Sequence, residues 1–313
     1  MDKFSINLKK INTTTILFFS LVVIFIFLVS LCISTFNFNK TKTPENISRN
    51  QEKTQEPITT ESSVKGASTE AAKPIVTQTQ VFRTALSGNE VKVPVLYYHY
   101  IGNNPDPKDT QRDALSVNPE QFAEQMKYLK DNGFTTISYD TLYAALKKQT
   151  VLPTKPIILT FDDAYIDFYY NAYNILRQYG LSATVFVPTG LIGNPAYLTW
   201  PMIQEMHSSG LVSFEAHSVH HYHLASLAPD VVLQELQQSK KDLQDHLGIN
   251  VNFMAYPYGE TSPSVVSLVQ KAGYIGAIGT WSNKIQSEGT IYNSPRLRIS
   301  GSINIASFAS LLQ

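Results

Sequence analysis

The chain has 313 residues, with 25 basic and 25 acidic side chains, and is 43% hydrophobic and 11% aromatic. This composition is too apolar for a wholly disordered protein, and the length suits one large domain or two small ones. The balanced charge argues against a nucleic-acid-binding protein, which would show a basic excess. The single cysteine, Cys32, argues against a disulfide framework, a cysteine-based zinc site and a cysteine nucleophile.

The amino-terminal part of the chain contains a long apolar segment without charge between Lys10 and Lys40. About 20 apolar residues span a bilayer core as a helix, so residues 16–36 are predicted to be a transmembrane signal anchor. Lysines in the short tail, residues 1–15, favour a cytoplasmic N-terminus and an extracytoplasmic remainder in a single-pass cell membrane protein. The alternative is a cleaved signal peptide and a secreted protein, although the apolar run exceeds the roughly 7–15 residues of such peptides.

A polar segment, residues 37–89, follows the predicted anchor. It is rich in Thr, Glu, Gln and Ser, and no aromatic residue occurs from Lys40 to Gln80. Such a segment cannot bury enough apolar surface to offset the entropy of ordering, which predicts a disordered linker. The linker would tether a folded domain, residues 90–313, at a distance from the membrane.

The predicted domain alternates between apolar strand-like runs and helical patterns. The helical patterns include 118–133, 138–148, 200–207, 230–246 and 263–273. The strand-like runs are 93–99, 157–161, 183–187, 212–216, 252–256, 275–280 and 297–299. Repeated strand–helix units with continuously apolar strands indicate an α/β fold with a parallel sheet covered by helices. About seven units suggest a closed or nearly closed barrel, whose functional residues would follow the carboxyl ends of the strands.

Two adjacent carboxylates, Asp162 and Asp163, follow the strand that ends with Thr160 and Phe161. One aspartate at this position is explained by a helix N-cap. Two carboxylates at the end of a buried strand are costly unless a positive group lies beside them. The pair therefore suggests a metal ligand and a base.

A histidine tract, His217, His220, His221 and His223, directly follows the strand 212–216. The spacing of His217 and His221 places both imidazoles on one side of a helical turn. Two histidines and one carboxylate form a divalent metal site with open positions for water and substrate. The alternative interpretation is a solvated surface tract, which would not explain the paired aspartates at the end of another strand.

A third polar segment, Tyr256-Pro257-Tyr258-Gly259, follows the strand 252–256. A turn of this composition fixes the backbone and can direct an N–H group into a cleft. Taken alone, it is equally consistent with an ordinary loop.

The order of Thr-Phe-Asp-Asp, His-Ser-x-x-His and Pro-Tyr-Gly resembles the polysaccharide deacetylase family, also called the NodB homology domain or carbohydrate esterase family 4. The resemblance implies a distorted (β/α)7 barrel that removes N-acetyl groups from N-acetylglucosamine-type units of a cell-wall or extracellular polysaccharide. It implies a divalent cofactor, with Zn²⁺ expected and Co²⁺, Ni²⁺ or Fe²⁺ as alternatives. The residue roles that it implies are metal ligation by Asp163, His217 and His221, general-base catalysis by Asp162 and oxyanion binding by the Tyr258 N–H.

Further residues are assigned by their location in the resemblance. The segment that ends with His99 resembles a subgroup in which this histidine faces the cleft, so His99 is a candidate catalytic residue. Five residues are predicted to contact substrate: Trp200, Tyr256, Pro257, Arg296 and Arg298. The predicted partners are an N-acetylated polysaccharide and, through the amino-terminal helix, a lipid bilayer; the expected oligomeric state is a monomer.

The chain departs from the family pattern in three places. Ala164 replaces the usual glycine after the paired aspartates, no arginine precedes Pro-Tyr-Gly, and the late Leu-His motif is absent. Arg296 or Arg298 could orient Asp162 in place of the missing arginine, and His99 or a metal-bound water could donate the proton. Two other functions stay open: a glycan-binding pseudoenzyme, and an O-acetyl esterase acting on xylan-like polymers.

Overall fold

The computed structural model describes residues 90–106 and 108–313. The predicted tail, anchor and linker, residues 1–15, 16–36 and 37–89, lie outside the described residues. Within the described part of the chain, no helix combines the length and the apolar character needed to cross a membrane.

The described residues form an α/β fold in which helices and strands alternate, as the sequence predicts. The strands are β1 Glu90–Lys92, β2 Val95–Tyr98, β3 Tyr100–Ile101, β4 Ser116–Val117, β5 Thr135–Thr136, β6 Pro156–Phe161, β7 Ala183–Val187, β8 Val212–Ala216, β9 Phe253–Ala255, β10 Gly276–Ile278, β11 Ile285–Ser287 and β12 Leu297–Arg298. The α-helices are α1 Thr110–Leu115, α2 Pro119–Asp131, α3 Tyr139–Leu146, α4 Tyr173–Tyr179, α5 Trp200–Ser208, α6 Pro229–Leu247, α7 Pro263–Lys271 and α8 Ile305–Leu312.

A curled parallel sheet forms the centre of the fold. Its strands follow the order β10-β9-β8-β7-β6-β2-β12, and β5 pairs with the start of β6. Ser294, shortly before β12, bridges to Ile278 of β10 in parallel, which brings the two ends of this strand order together. The arrangement is consistent with the expected distorted (β/α)7 barrel, and it collects the carboxyl ends of the strands at one edge.

Local sequence explains where the covering helices begin and end. Asn118 caps α2 by accepting a hydrogen bond from the N–H of Glu120, and Pro119 occupies the first turn, where its missing N–H costs nothing. Helix α6 also begins with a proline, and it ends at Gly248, whose φ of 67° is a conformation that glycine adopts freely. The positions of both helices agree with the helical patterns predicted at 118–133 and 230–246.

The core lies between the sheet and these helices. Tyr98 of β2 stacks on Phe161 of β6, with ring centroids 5.1 Å apart, and Phe122 of α2 meets both rings edge-on. Burial of such aromatic side chains removes large apolar areas from water and stabilises the strands that carry the paired aspartates. The central strands thus have apolar side chains on both faces, which explains their continuous apolar sequence.

Candidate active site

The three polar clusters meet at the carboxyl edge of the sheet. Asp162 and Asp163 directly follow β6, and His217 directly follows β8. Strand β7 lies between β6 and β8, and all three strands are parallel. Residues that are far apart in sequence therefore project from neighbouring positions.

Asp163, His217 and His221 offer three ligand atoms that lie within 4.8 Å of one another. The Oδ1 atom of Asp163 lies 3.4 Å from Nε2 of His217 and 3.1 Å from Nε2 of His221. This oxygen is buried and has no hydrogen-bond partner among the described residues. A buried carboxylate oxygen without a partner is costly, and a cation between the three atoms would satisfy it.

The histidine tautomers suit the same interpretation. The Nδ1–H group of His217 donates to the carbonyl oxygen of Ala255 at 2.8 Å, which directs Nε2 toward Asp163 as the ring atom that would ligate an ion. Metal-ligating histidines commonly have such a partner on the second ring nitrogen. Burial alone raises the pKa of Asp163, but the two imidazoles more than offset this and hold the pKa well below its ordinary value. The carboxylate is therefore ionised and available as a ligand.

Asp162 is clamped by a buried arginine. Nη1 of Arg296 donates to Oδ1 of Asp162 at 2.7 Å, and Nη2 donates to Oδ2 at 2.8 Å. Burial alone would raise the pKa of Asp162, but the charge and hydrogen bonds of Arg296 lower it below its ordinary value. The carboxylate is thus held ionised, in one orientation, beside the candidate metal ligands.

The position of Arg296 decides between two roles offered by the sequence. Its side chain is fully buried, and Nε donates to the carbonyl oxygen of Gly279 while Nη1 also donates to the Thr160 hydroxyl. The structure therefore supports a role for Arg296 in orienting Asp162, in place of the arginine that this chain lacks before Pro-Tyr-Gly. It does not support the predicted contact of Arg296 with substrate, because the side chain is buried. Neither Thr160 nor Gly279 was predicted to support the base. The position of Thr160, directly before Phe161 and Asp162, was the sequence signal that could have identified its contact with Arg296.

His99 lies directly after β2 and is half-buried, within reach of the charges of Asp162 and Asp163. Burial lowers its pKa, and the two aspartates oppose this effect without cancelling it. Its ring packs edge-on against Tyr97, with centroids 5.9 Å apart. The sequence prediction that this histidine belongs to the same edge as the paired aspartates agrees with this placement.

Tyr258 forms the rim of the candidate site. Its ring meets His221 edge-on at 4.6 Å between centroids and stacks on His223 at 3.8 Å, and about half of the side chain is exposed. Nδ1 of His223 lies 3.0 Å from Oε2 of Glu260. The predicted oxyanion-binding role of the Tyr258 N–H stays a prediction, whereas its side chain lies beside a predicted metal ligand.

Four other predicted substrate contacts differ in position. Tyr256 is buried and its hydroxyl donates to the carbonyl oxygen of Tyr292, and Pro257 is also buried. The ring of Trp200, at the start of α5, stacks on His246 with centroids 3.7 Å apart. Arg298 is exposed in β12. Burial indicates structural roles for Tyr256 and Pro257, and substrate contacts by Trp200 and Arg298 stay predictions.

The backbone around the site adopts uncommon conformations. Seven non-glycine residues of the described chain have a positive φ, and five of them flank the site: Asp163, Ala164, Ser218, His221 and Tyr258. Such conformations are disfavoured for side chains with a Cβ and cluster where function requires them. The φ of 54° at Ala164 also explains why glycine suits this position.

A family model described as polysaccharide deacetylase matches residues 149–277, which include the paired aspartates and the histidine tract. A poly-beta-1,6-N-acetyl-D-glucosamine N-deacetylase from Staphylococcus aureus (strain MSSA476) is 30% identical over 201 residues. That alignment covers 59% of this chain and 68% of the relative.

Two solved structures resemble the fold. Streptococcus pyogenes deacetylase PplD, determined in complex with acetate, has a TM-score of 0.67 and 34% identity, with coverage of 71% of this chain and 99% of that one. BC0361, a polysaccharide deacetylase from Bacillus cereus, has a TM-score of 0.64 and 30% identity, with coverage of 72% and 70%.

Proposed function

The chain belongs to the polysaccharide deacetylase family, and from this premise we propose that it is a metal-dependent hydrolase of N-acetylated polysaccharide. Its substrate would be N-acetylglucosamine-type units of a cell-wall or extracellular polymer. The observation that carries this proposal is the partnerless Oδ1 of Asp163, which faces two imidazole nitrogens beside the clamped carboxylate of Asp162. Zn²⁺ is the expected ion, since two imidazoles and a carboxylate suit it, and the same ligands accept Co²⁺, Ni²⁺ or Fe²⁺.

Asp163, His217 and His221 would hold the ion. A divalent ion in such a site polarises a carbonyl group and makes water acidic enough to act as a nucleophile near neutral pH. Asp162 would accept the proton of the attacking water, because Arg296 keeps it ionised and fixes its direction. Its lowered pKa makes Asp162 a weak base, so proton transfer to it also depends on how acidic the attacking water is.

Two groups would act on the substrate's amide. The Tyr258 N–H would donate to the oxygen of the carbonyl as negative charge develops there, a contribution on the order of 3 kcal/mol. His99, which directly follows β2 within reach of the charges of both aspartates, would transfer a proton to the departing amine nitrogen, and the proton that Asp162 takes from the water would replace it. The products would be acetate and a free amino sugar unit.

Exposed aromatic side chains support a polymer as the substrate. Tyr222, Tyr258 and Trp281 are exposed on the loops that follow β8, β9 and β10. Aromatic rings with an apolar face and a polar edge suit the apolar faces of sugar rings. The Staphylococcus aureus relative is named for a poly-β-1,6-linked N-acetylglucosamine polymer, which makes this glycan the first substrate to test.

The proposed location follows from the amino-terminal sequence alone. Residues 16–36 would anchor a monomer in the cell membrane, residues 37–89 would act as the tether, and residues 90–313 would face the wall or its surroundings. Cleavage of the anchor would release the same domain.

An acetate-release assay tests the function directly. The full chain would be incubated with poly-N-acetylglucosamine, chitooligomers, peptidoglycan and acetylated xylan, with and without a chelator. We expect acetate from an N-acetylated polymer, loss of release with the chelator, and recovery when Zn²⁺ is added. Asp163→Ala should lose both bound metal and activity, whereas Asp162→Asn should keep the metal and lose turnover.

Other outcomes would identify the alternatives. Glycan binding without acetate release would indicate a binding protein with an inactive site. Release from acetylated xylan alone would indicate an O-acetyl esterase. Wild-type rates in Asp163→Ala would show that the proposed ligand set is wrong.

A further inference from the structure

We propose that Glu235 is a positioning residue that holds the histidine loop, residues 217–221, in the geometry needed for metal binding. The inference rests on the metal site of the proposed function and adds a residue outside the family motifs. Glu235 lies on α6, buried with 6% of its surface exposed. Among the described residues its hydrogen bonds go to Val219 and His220 and not to the candidate ligand atoms, so its effect would pass through the loop.

The carboxylate of Glu235 holds the loop through both of its oxygens. Oε2 accepts hydrogen bonds from the N–H groups of Val219 and His220, each at 2.9 Å. Oε1 lies 2.6 Å from Nδ1 of His220, whose N–H donates to it. Two of the three donors are backbone groups located between His217 and His221. Because these two bonds come from backbone groups, the carboxylate holds the main chain between the two candidate ligands independently of the side chains of Val219 and His220.

The loop needs external support because its backbone is unfavourable. Ser218 and His221 have φ values of 60° and 58°, in the left-handed region that non-glycine residues rarely adopt. The Ser218 hydroxyl accepts from the N–H of His221 at 3.0 Å, which closes the turn from within. This internal bond leaves the N–H groups of Val219 and His220 to Glu235.

The histidine loop is also hydrogen-bonded to the turn that follows β7. The N–H groups of Thr189 and Gly190 donate to the carbonyl oxygens of Ser218 and Val219, at 3.2 and 2.9 Å. A Cβ at Gly190 would lie 2.8 Å from Cγ1 of Val219, so the two segments are in close contact. The loop is therefore held by two sets of hydrogen bonds, donated by the β7 turn and accepted by Glu235.

The sequence carries a signal for this role that lies outside the three motifs. Buried residues of α6 recur at Val232, Glu235, Leu236, Ser239 and Leu243, which is the inward stripe of an amphipathic helix. A glutamate in that stripe is buried, and a buried carboxylate requires hydrogen-bond donors. The only question left open by the pattern is where the donors lie, and the structure places them in the histidine loop.

Zinc affinity of the full chain, measured by competition with a chromogenic chelator, tests the inference without reference to turnover. Outer groups that orient metal ligands typically change affinity about 10- to 100-fold when removed. We expect Glu235→Ala to weaken zinc binding by about this factor. Glu235→Gln should stay close to the wild type, because its amide oxygen can still accept from both backbone N–H groups. His220→Ala should also stay close, since the backbone bonds remain.

Glu215 provides a matched control. It is equally buried, and its Oε2 accepts the N–H groups of Asn252 and Phe253 at 3.0 and 2.9 Å, at the start of β9. Glu215→Ala removes a clamp of the same kind whose donors lie at the start of β9 and not in the histidine loop, so we expect lower thermal stability with unchanged zinc affinity. Equal losses of affinity in Glu215→Ala and Glu235→Ala would show general destabilisation and overturn the proposal.

The remaining outcomes are also decisive. Wild-type zinc affinity in Glu235→Ala would refute the role of Glu235. If that variant does not fold, Glu235→Asp decides, because a side chain one methylene shorter cannot reach both N–H groups; unchanged affinity there would likewise refute it. Zinc binding by the wild type without acetate release would remove the proposed function and leave this inference standing. Absence of zinc binding by the wild type would remove both.

Discussion

The clamp between Arg296 and Asp162 gives the sharpest test of how this site controls its base. Arg296 donates four hydrogen bonds, two to Asp162 and one each to Thr160 and Gly279, from a fully buried position. Arg296→Met keeps much of the side-chain volume and removes every donor. Asp162 would then be a buried carboxylate without its positive partner, a situation that costs about 3–5 kcal/mol of folding stability.

The same substitution should change the pH dependence of the reaction. Burial raises the pKa of Asp162, and Arg296 is the strongest of the groups that oppose it. Without the guanidinium the pKa rises, so the base becomes protonated at a higher pH than in the wild type. We expect the acid limb of kcat/KM to shift to higher pH, and the rate near neutral pH to fall by up to about 10²–10⁴-fold, the range for general-base catalysis.

The measurements are a pH–rate profile of acetate release and urea unfolding of each variant. Arg296→Lys keeps the charge but loses the two-point geometry, so its acid limb should lie between those of the wild type and Arg296→Met. The double variant Arg296→Met/Asp162→Asn should be less destabilised than the sum of the single variants, because no buried charge is left unpaired. An unshifted acid limb in Arg296→Met, or additive destabilisation, would refute the reasoning.

Three further predictions concern stability. Burial raises the pKa of Glu215 to about 8 from 4.5, so the folded state binds this proton more tightly than the unfolded chain. The unfolding free energy measured in urea should therefore fall as the pH rises between these values, and Glu215→Gln should flatten that slope. Gly259→Ala should lower the melting temperature more than Gly180→Ala. Both glycines have a positive φ, but a Cβ at Gly259 would lie 2.1 Å from Oγ1 of Thr280, whereas a Cβ at Gly180 would meet no atom within 4 Å. Equal losses in melting temperature would contradict the steric argument. Phe161→Ala should lower the unfolding free energy measured in urea by about 3–5 kcal/mol, since it removes a buried ring beneath the paired aspartates. A loss below about 1 kcal/mol would mean that neighbouring side chains move in to fill the cavity.

The sequence by itself determined that the paired aspartates and the histidine tract share one edge of the sheet, because the signals that locate them are local, whereas the choice of Asp163 over Asp162 as a ligand came from the family resemblance. Continuous apolar runs define buried parallel strands, and polar residues that directly follow such strands lie at one edge of a sheet. The predicted strands 183–187 and 212–216 agree with β7 and β8, and Asp163, His217 and His221 come together as expected. Short strands without periodicity, such as β3 and β4, gave no such signal.

The tertiary structure alone decided which groups support those ligands. Arg296 lies 134 residues from Asp162 in sequence and reaches it because β12 pairs with β2, next to β6. Glu235 reaches the histidine loop because α6 packs over it with one carboxylate in its apolar stripe. Residue patterns reveal which face a side chain occupies, but the order of strands around the sheet and the packing of helices on it determine which distant groups meet. Whether Arg296 clamps Asp162 or contacts substrate is therefore decided by the curled sheet and not by any local motif.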